Sequence, residues 1–153
     1  MGSGRQFRGF SLVELVIVMA VIALILSIAI PNFRSMQQDA NLTRAEGDLE
    51  TLKMAVVSYW RQADFVWPAN LHSALTSATP AVITETLNDP WLTDSTNKTY
   101  GFLTGTDPVF GPYFMVYTKG PLADTLPTWD GPNQKVTYTG TGRVMSNAPV
   151  ERN

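Results

Sequence analysis

With 153 residues, 44% of them hydrophobic, the chain has material for one membrane segment and one modest soluble domain, and not for a second core. Eleven Lys and Arg against 13 Asp and Glu give a net charge of −2, so no basic face is available to neutralise phosphates and no nucleic-acid partner is expected. Cys is absent and His72 is the single histidine, which removes disulfides, Cys nucleophiles and His-based zinc sites, and leaves packing or something else, such as a bound metal, to hold an exported domain. A Ser-His-Asp triad would have to pass through His72, and no nucleophile elbow surrounds it. The expectation is a protein that is not an enzyme.

In chain order, the first element is Phe10 to Ile30, a 21-residue apolar run broken by one acid, Glu14, and preceded by Arg5, Gln6, Phe7, Arg8 and Gly9. That length crosses a bilayer. A removed secretory signal has a shorter apolar run, about 7 to 15 residues, before a small-residue cut, whereas here the run is longer and the small residue lies before it. An ordinary signal anchor accounts for the length but not for Glu14. A carboxylate in hydrocarbon costs about 2.5 to 3.5 kcal/mol on insertion scales, so a span that keeps one needs a partner for it. Arg5 and Arg8 precede the span, while Asn32, Phe33 and Arg34 open its far side; the short positive leader therefore stays cytoplasmic and the bulk of the chain crosses outward. Pro31 ends the run, either kinking or breaking the helix near residues 27 to 31 or simply marking the membrane boundary.

Beyond Pro31, Phe33, Met36, Ala40, Leu42, Ala45, Leu49, Leu52, Val56 and Tyr59 follow a nearly helical stripe, with Arg44, Glu46, Asp48, Glu50, Lys53 and Arg61 largely off it. A helix from Phe10 to about Arg61 would reach roughly 78 Å at about 1.5 Å per residue, with Gly47 a weak point costing about 1 kcal/mol. The stripe serves either intramolecular packing, which the strand-rich remainder requires, or a coiled-coil seam. Pro68-Ala69-Asn70 then leads into a short helix capped by Asn70. Tyr100 to Leu103, Tyr113 to Thr118 and Lys135 to Thr139, extended by Arg143 to Met145, read as strands punctuated by Gly-Pro pairs. Thr139-Gly140-Thr141-Gly142-Arg143 reads as a hairpin turn. Asn41 and Asn97 open chance matches to a glycosylation sequon, and the tryptophans are expected as buried anchors between helix and sheet. The resulting class is α+β: a long N-terminal helix, transmembrane in its first half and amphipathic in its second, packed on a three- or four-stranded antiparallel meander. The expected divisions are 1–9 (leader), 10–31 (membrane helix), 32–63 (amphipathic helix) and 64–153 (loop and sheet region).

Gly9-Phe10-Ser11-Leu12-Val13-Glu14 resembles the prepilin-peptidase signature of type IV pilins and type II secretion pseudopilins. The resemblance implies cutting after Gly9 by a prepilin peptidase, N-methylation of the new amine on Phe10, and a pairing of Glu14 with the N-terminal amine of a neighbouring subunit, so that Glu14 acts as a register device; the alternative is a Glu14 resting in the headgroup layer. Relatives also carry a proline at the position of Pro31, where filament packing melts or bends the helix. Further along, Trp67-Pro68, Asp89-Pro90-Trp91 followed by Tyr100, and Phe114 to Pro121 are similar to major pseudopilins, although Leu92 stands where those proteins usually have Gly. Major pseudopilins hold a C-terminal loop with calcium, which here implies Leu122 (through its carbonyl), Asp124, Thr128 and Asp130 as ligands; the family's Gly-Pro-Asp-Gly is Gly120-Pro121-Leu122-Ala123 in this chain, and the alternative is a proline-rich loop with solvated acids. The implied role is a structural subunit of a type II secretion pseudopilus, polymerised through its N-terminal helix, with an inner-membrane assembly platform, its ATPase and minor pseudopilins as partners and a periplasmic C-terminal domain. A type IV pilin of a surface fibre is the alternative, followed by a single-pass anchored binding module.

Overall fold

The computed structural model describes residues 10–92 and 98–153. Arg5, Gln6, Phe7, Arg8, Gly9 and Asn97, all singled out by the sequence, lie outside the described residues. The chain divides into two compact units, the first ending at Gln38 and the second covering Asp39–Asn153, with the boundary inside helix α1 (Leu12–Gln62).

Helix α1 begins after Ser11, whose carbonyl accepts the Leu15 N–H at 3.1 Å. Glu14 lies in its first turn and Arg61 in its last, each complementing the helix dipole. Pro31 sits inside the helix, so the expected break does not occur. A proline withdraws one N–H, leaving the Ser27 carbonyl four residues back without its usual donor. The turns on either side keep their own bonds, and the Ser27 hydroxyl donates to the Leu24 carbonyl at 2.7 Å. In the first unit every described residue is exposed, and this part of α1 contains an 18-residue window of mean hydropathy 3.0, long and apolar enough to cross a membrane.

In the second unit α1 buries Ala45, Leu49, Leu52, Ala55 and Val56. The anticipated stripe therefore divides: its later positions pack internally, while Phe33, Met36 and Ala40 are exposed. The helix closes on Asp64 and Phe65, both with positive φ, and the Phe65 N–H reaches back to the Trp60 carbonyl at 2.9 Å, a Schellman-type closure made without glycine. Helix α2 (Leu71–Ser77) follows; Asn70 occupies its N-cap but makes no side-chain capping bond.

Six strands complete the unit: β1 (Gly101–Asp107), β2 (Gly111–Tyr117), β3 (Leu126–Asp130), β4 (Lys135–Thr139), β5 (Val144–Ser146) and β6 (Val150–Arg152). They form two three-stranded sheets, β1-β2-β5 and β3-β4-β6, instead of one meander. The first is antiparallel; in the second, β3 and β4 are antiparallel while β4 and β6 run parallel. Alternation along β2 explains the layering. Phe114 and Val116 join α1, α2 and Tyr100 in one core cluster, whereas Met115, with Tyr113 and Tyr117 packed alongside, meets Val136, Tyr138 and Val144 in the other. The β1-β2-β5 sheet thus lies between the helices and the second sheet, which is the α+β arrangement of a helix packed on a small antiparallel sheet with one further layer outside it. Residues 139–143 are not a hairpin turn, because β4 and β5 belong to different sheets. The tryptophans fill the layers: Trp60 stacks on Trp67 at 5.2 Å, Trp67 tilts onto Phe114 at 5.0 Å, and Trp129 stacks on Tyr113 at 4.2 Å.

Candidate functional site

Two places collect the residues that the sequence marked. The first is the start of α1. Phe10 is 79% exposed, and Glu14, one turn later, is exposed and its carboxylate makes no hydrogen bond or ion pair among the described residues. The apolar side chains around it, Leu12, Val13, Leu15, Val16, Ile17 and Val18, are likewise uncovered. An acid on an apolar helix has two chemical fates in a membrane: to stay at the polar edge, or to meet a cation supplied from outside its own helix.

The second place is the loop between β2 and β3, where the four candidate calcium ligands do not converge. Asp124 precedes β3 and Asp130 ends it. Five strand residues extend roughly 13 Å between their outer Cα atoms at about 3.3 Å per residue, whereas calcium holds its oxygens at about 2.3 to 2.6 Å. Each side chain has a separate task. Asp124 Oδ1 accepts the backbone N–H of Thr141 at 2.8 Å and its hydroxyl at 2.7 Å. Thr128 pairs with Thr137 across the β3–β4 ladder at 3.1 Å, and Asp130 takes the Asn133 side-chain amide at 2.8 Å in the following turn. Leu122 donates its N–H to the Thr141 hydroxyl at 3.3 Å. No group of three His, Cys, Asp or Glu able to hold a metal occurs among the described residues. In this conformation the residues do not fit a single calcium ion.

What closes the loop is a lattice of hydrogen bonds to residues 139–143. Besides the Asp124–Thr141 pair, the buried Thr125 hydroxyl accepts the Gly142 N–H at 2.6 Å, and Thr118 donates its N–H to the Arg143 carbonyl at 3.0 Å. A side chain at Gly142 would run into the Thr118 carbonyl, so glycine is required there by close approach alone. The Thr141 backbone N–H and then its hydroxyl hold the Asp124 carboxyl below its ordinary value.

Asp89 anchors the same region from the other side. It is 2% exposed. Its Oδ2 accepts the Thr118 hydroxyl at 2.7 Å and the Lys119 N–H at 3.1 Å, while Oδ1 accepts the Trp91 N–H at 3.1 Å. The Asp89-Pro90-Trp91 turn and the Gly120-Pro121 strand end are therefore one structural joint, a function the sequence did not disclose; the readable sign was an acid before Pro with a Trp after it. Other ties were equally silent in sequence. Arg143 pairs with Glu46 at 2.8 Å, and the Tyr100 hydroxyl donates to Asp48 at 2.8 Å. Burial, then the Asp48 carboxylate, push the Tyr100 phenol upward from its ordinary value. Asp107 is held below its ordinary value by the Phe110 N–H, the Trp129 indole and the Val109 N–H. His72 is buried, with Nε2 2.9 Å from the Leu87 carbonyl, and burial lowers its pKa.

Comparison with known proteins bears on the first place. The family model described as the prokaryotic N-terminal methylation motif matches residues 4–30. The type IV major pilin protein PilA of Myxococcus xanthus (strain DK1622) is 40% identical over 57 residues, a stretch that covers 37% of this chain and 26% of that protein. No solved structure matches.

Proposed function

We propose, on the premise of this type IV pilin-like N-terminal segment, that the chain is a filament subunit: cut after Gly9 by a prepilin peptidase, methylated on the freed amine of Phe10, and polymerised through the first part of α1. The observation that carries the proposal is the uncovered apolar helix with Glu14 in its first turn, its carboxylate without a partner among the described residues. Removal of the leader creates a positive amine four residues before that carboxylate. The pair on a single helix end is close in sequence but does not stabilise one register between subunits; the amine of an adjacent copy does, because a displaced neighbour leaves Glu14 buried without a counter-charge. A structural role follows, with force supplied by an assembly platform and its ATPase.

The finer reading is a type II secretion pseudopilus in the periplasm, supported by the joint between Asp89-Pro90-Trp91 and the end of β2. Similarity to a type IV major pilin favours a surface fibre as the second reading. Deletion separates them: loss of protein export with surface fibres intact supports the pseudopilus, and loss of surface fibres with export intact supports the pilus. Gly9→Leu should accumulate uncut precursor and yield no filament; normal processing of that variant would remove the assigned cut site.

A further inference from the structure

The second unit carries an apolar knob and, on the opposite outer layer, a groove in which Met54 and Val57 lie between two cations, Lys53 and Arg61. The knob is the β2–β3 loop. Leu122 is 70% exposed and Leu126 67% exposed, and Asp124 stands between them. Its Oδ1 is occupied by Thr141 and its charge is felt by Arg152 of the same chain, while Oδ2 has no hydrogen-bond partner among the described residues. Ala123, within the loop, adopts a left-handed conformation, φ 53. The groove lies on the outer face of α1, lined by Lys53, Met54, Val57, Ser58, Arg61 and Gln62. Met54 is 61% exposed, and it also borders the adjoining groove formed with Val82 and Ile83. Neither Lys53 nor Arg61 makes an ion pair among the described residues.

We infer that the groove on α1 receives the Leu122–Leu126 knob of a second copy of this chain, with Asp124 directed toward the Lys53 and Arg61 side chains at its ends. The layering supplies the geometry. Leu49, Leu52 and Val56 of α1 pack on one side of the β1-β2-β5 sheet, and β3 belongs to the sheet on its other side; the outward face of α1 and the outward Leu126 therefore occupy opposite surfaces of the same unit. A knob cannot reach the groove of its own chain. Two different, mutually complementary patches make a head-to-tail contact, which remains open at both ends and propagates as a filament instead of closing into a dimer. Apolar side chains at the centre supply the burial and the peripheral charges select the orientation.

The inference rests on the filament reading, and the absence of native cysteine makes a clean test possible. Full-length Met54→Cys/Leu126→Cys protein is assembled in its own cells and oxidised, and filaments are scored by microscopy in parallel. The expected result is a disulfide-linked ladder of dimers, trimers and higher multimers, against no ladder for either single substitution or for Leu103→Cys/Leu126→Cys, whose first cysteine lies on the exposed edge of β1. Filaments that form without a Met54–Leu126 ladder overturn the inference and leave the filament reading standing, as does a ladder of equal strength from the Leu103 control. Wild-type protein that is never processed and forms no filament overturns both.

Discussion

Residues 10–38 and 39–153 solve the problem of apolar side chains in opposite ways. In the second region the apolar residues of α1 recur on one face and are covered by β2 and α2, so Leu49, Leu52, Phe114 and Val116 are fully enclosed by their own chain. In the first region apolar residues surround the helix and none of the described residues covers them. Burial is worth about 25 cal/mol per Å² of apolar surface, a stabilisation that the second region draws from its own chain and the first does not draw from the described residues. Substitutions are therefore expected to register in assembly for one region and in stability for the other.

The sharpest break of that comparison is Glu14→Ala. It should leave processing and the thermal unfolding midpoint of detergent-extracted protein unchanged and abolish polymerisation; wild-type filament yield would remove the register role. Next in size is Phe114→Ala, which empties a site between Trp67, α1 and the sheet and should cost about 3 to 5 kcal/mol in denaturant unfolding. Asp89→Ala leaves the buried Thr118 hydroxyl and two backbone N–H groups without their acceptor, and should cost about 2 to 3 kcal/mol; a change within error would show that water replaces the joint.

The smallest effect concerns His72. Its folded pKa is lowered from the usual 6.5 by burial, so the folded chain binds the proton less readily than the unfolded chain. Above that pH both forms are neutral and His72 contributes no pH dependence. As pH falls below it, the unfolded chain takes the proton first, and stability declines until the folded pKa is passed. Denaturation midpoints followed downward from about pH 6.5 should show this slope in the wild type and lose it in His72→Gln.

Legibility differed between the regions for physical reasons. The membrane run, the cationic residues before it and Glu14 are local features, and residues 135–139 were readable as a strand to the residue because alternation there is unbroken. Strand β3 was hidden by Pro127, which suggests a loop; it is accommodated because β3 lies at the edge of its sheet, where a missing N–H is tolerated. Strand β6 has three residues and pairs in parallel with β4, a non-local arrangement with no hairpin sign. The hydrogen-bond lattice of the β2–β3 loop depends on Thr141 and Gly142 meeting Asp124 and Thr125 across sequence, and single-chain patterning carries no mark of such a meeting.

The intact mass of the native protein extracted from membranes decides whether the leader is removed and the new terminus methylated. A polypeptide beginning at Phe10 and carrying one added methyl group is the predicted result. A chain that retains Met1 to Gly9 and stays a single-copy membrane species would contradict it.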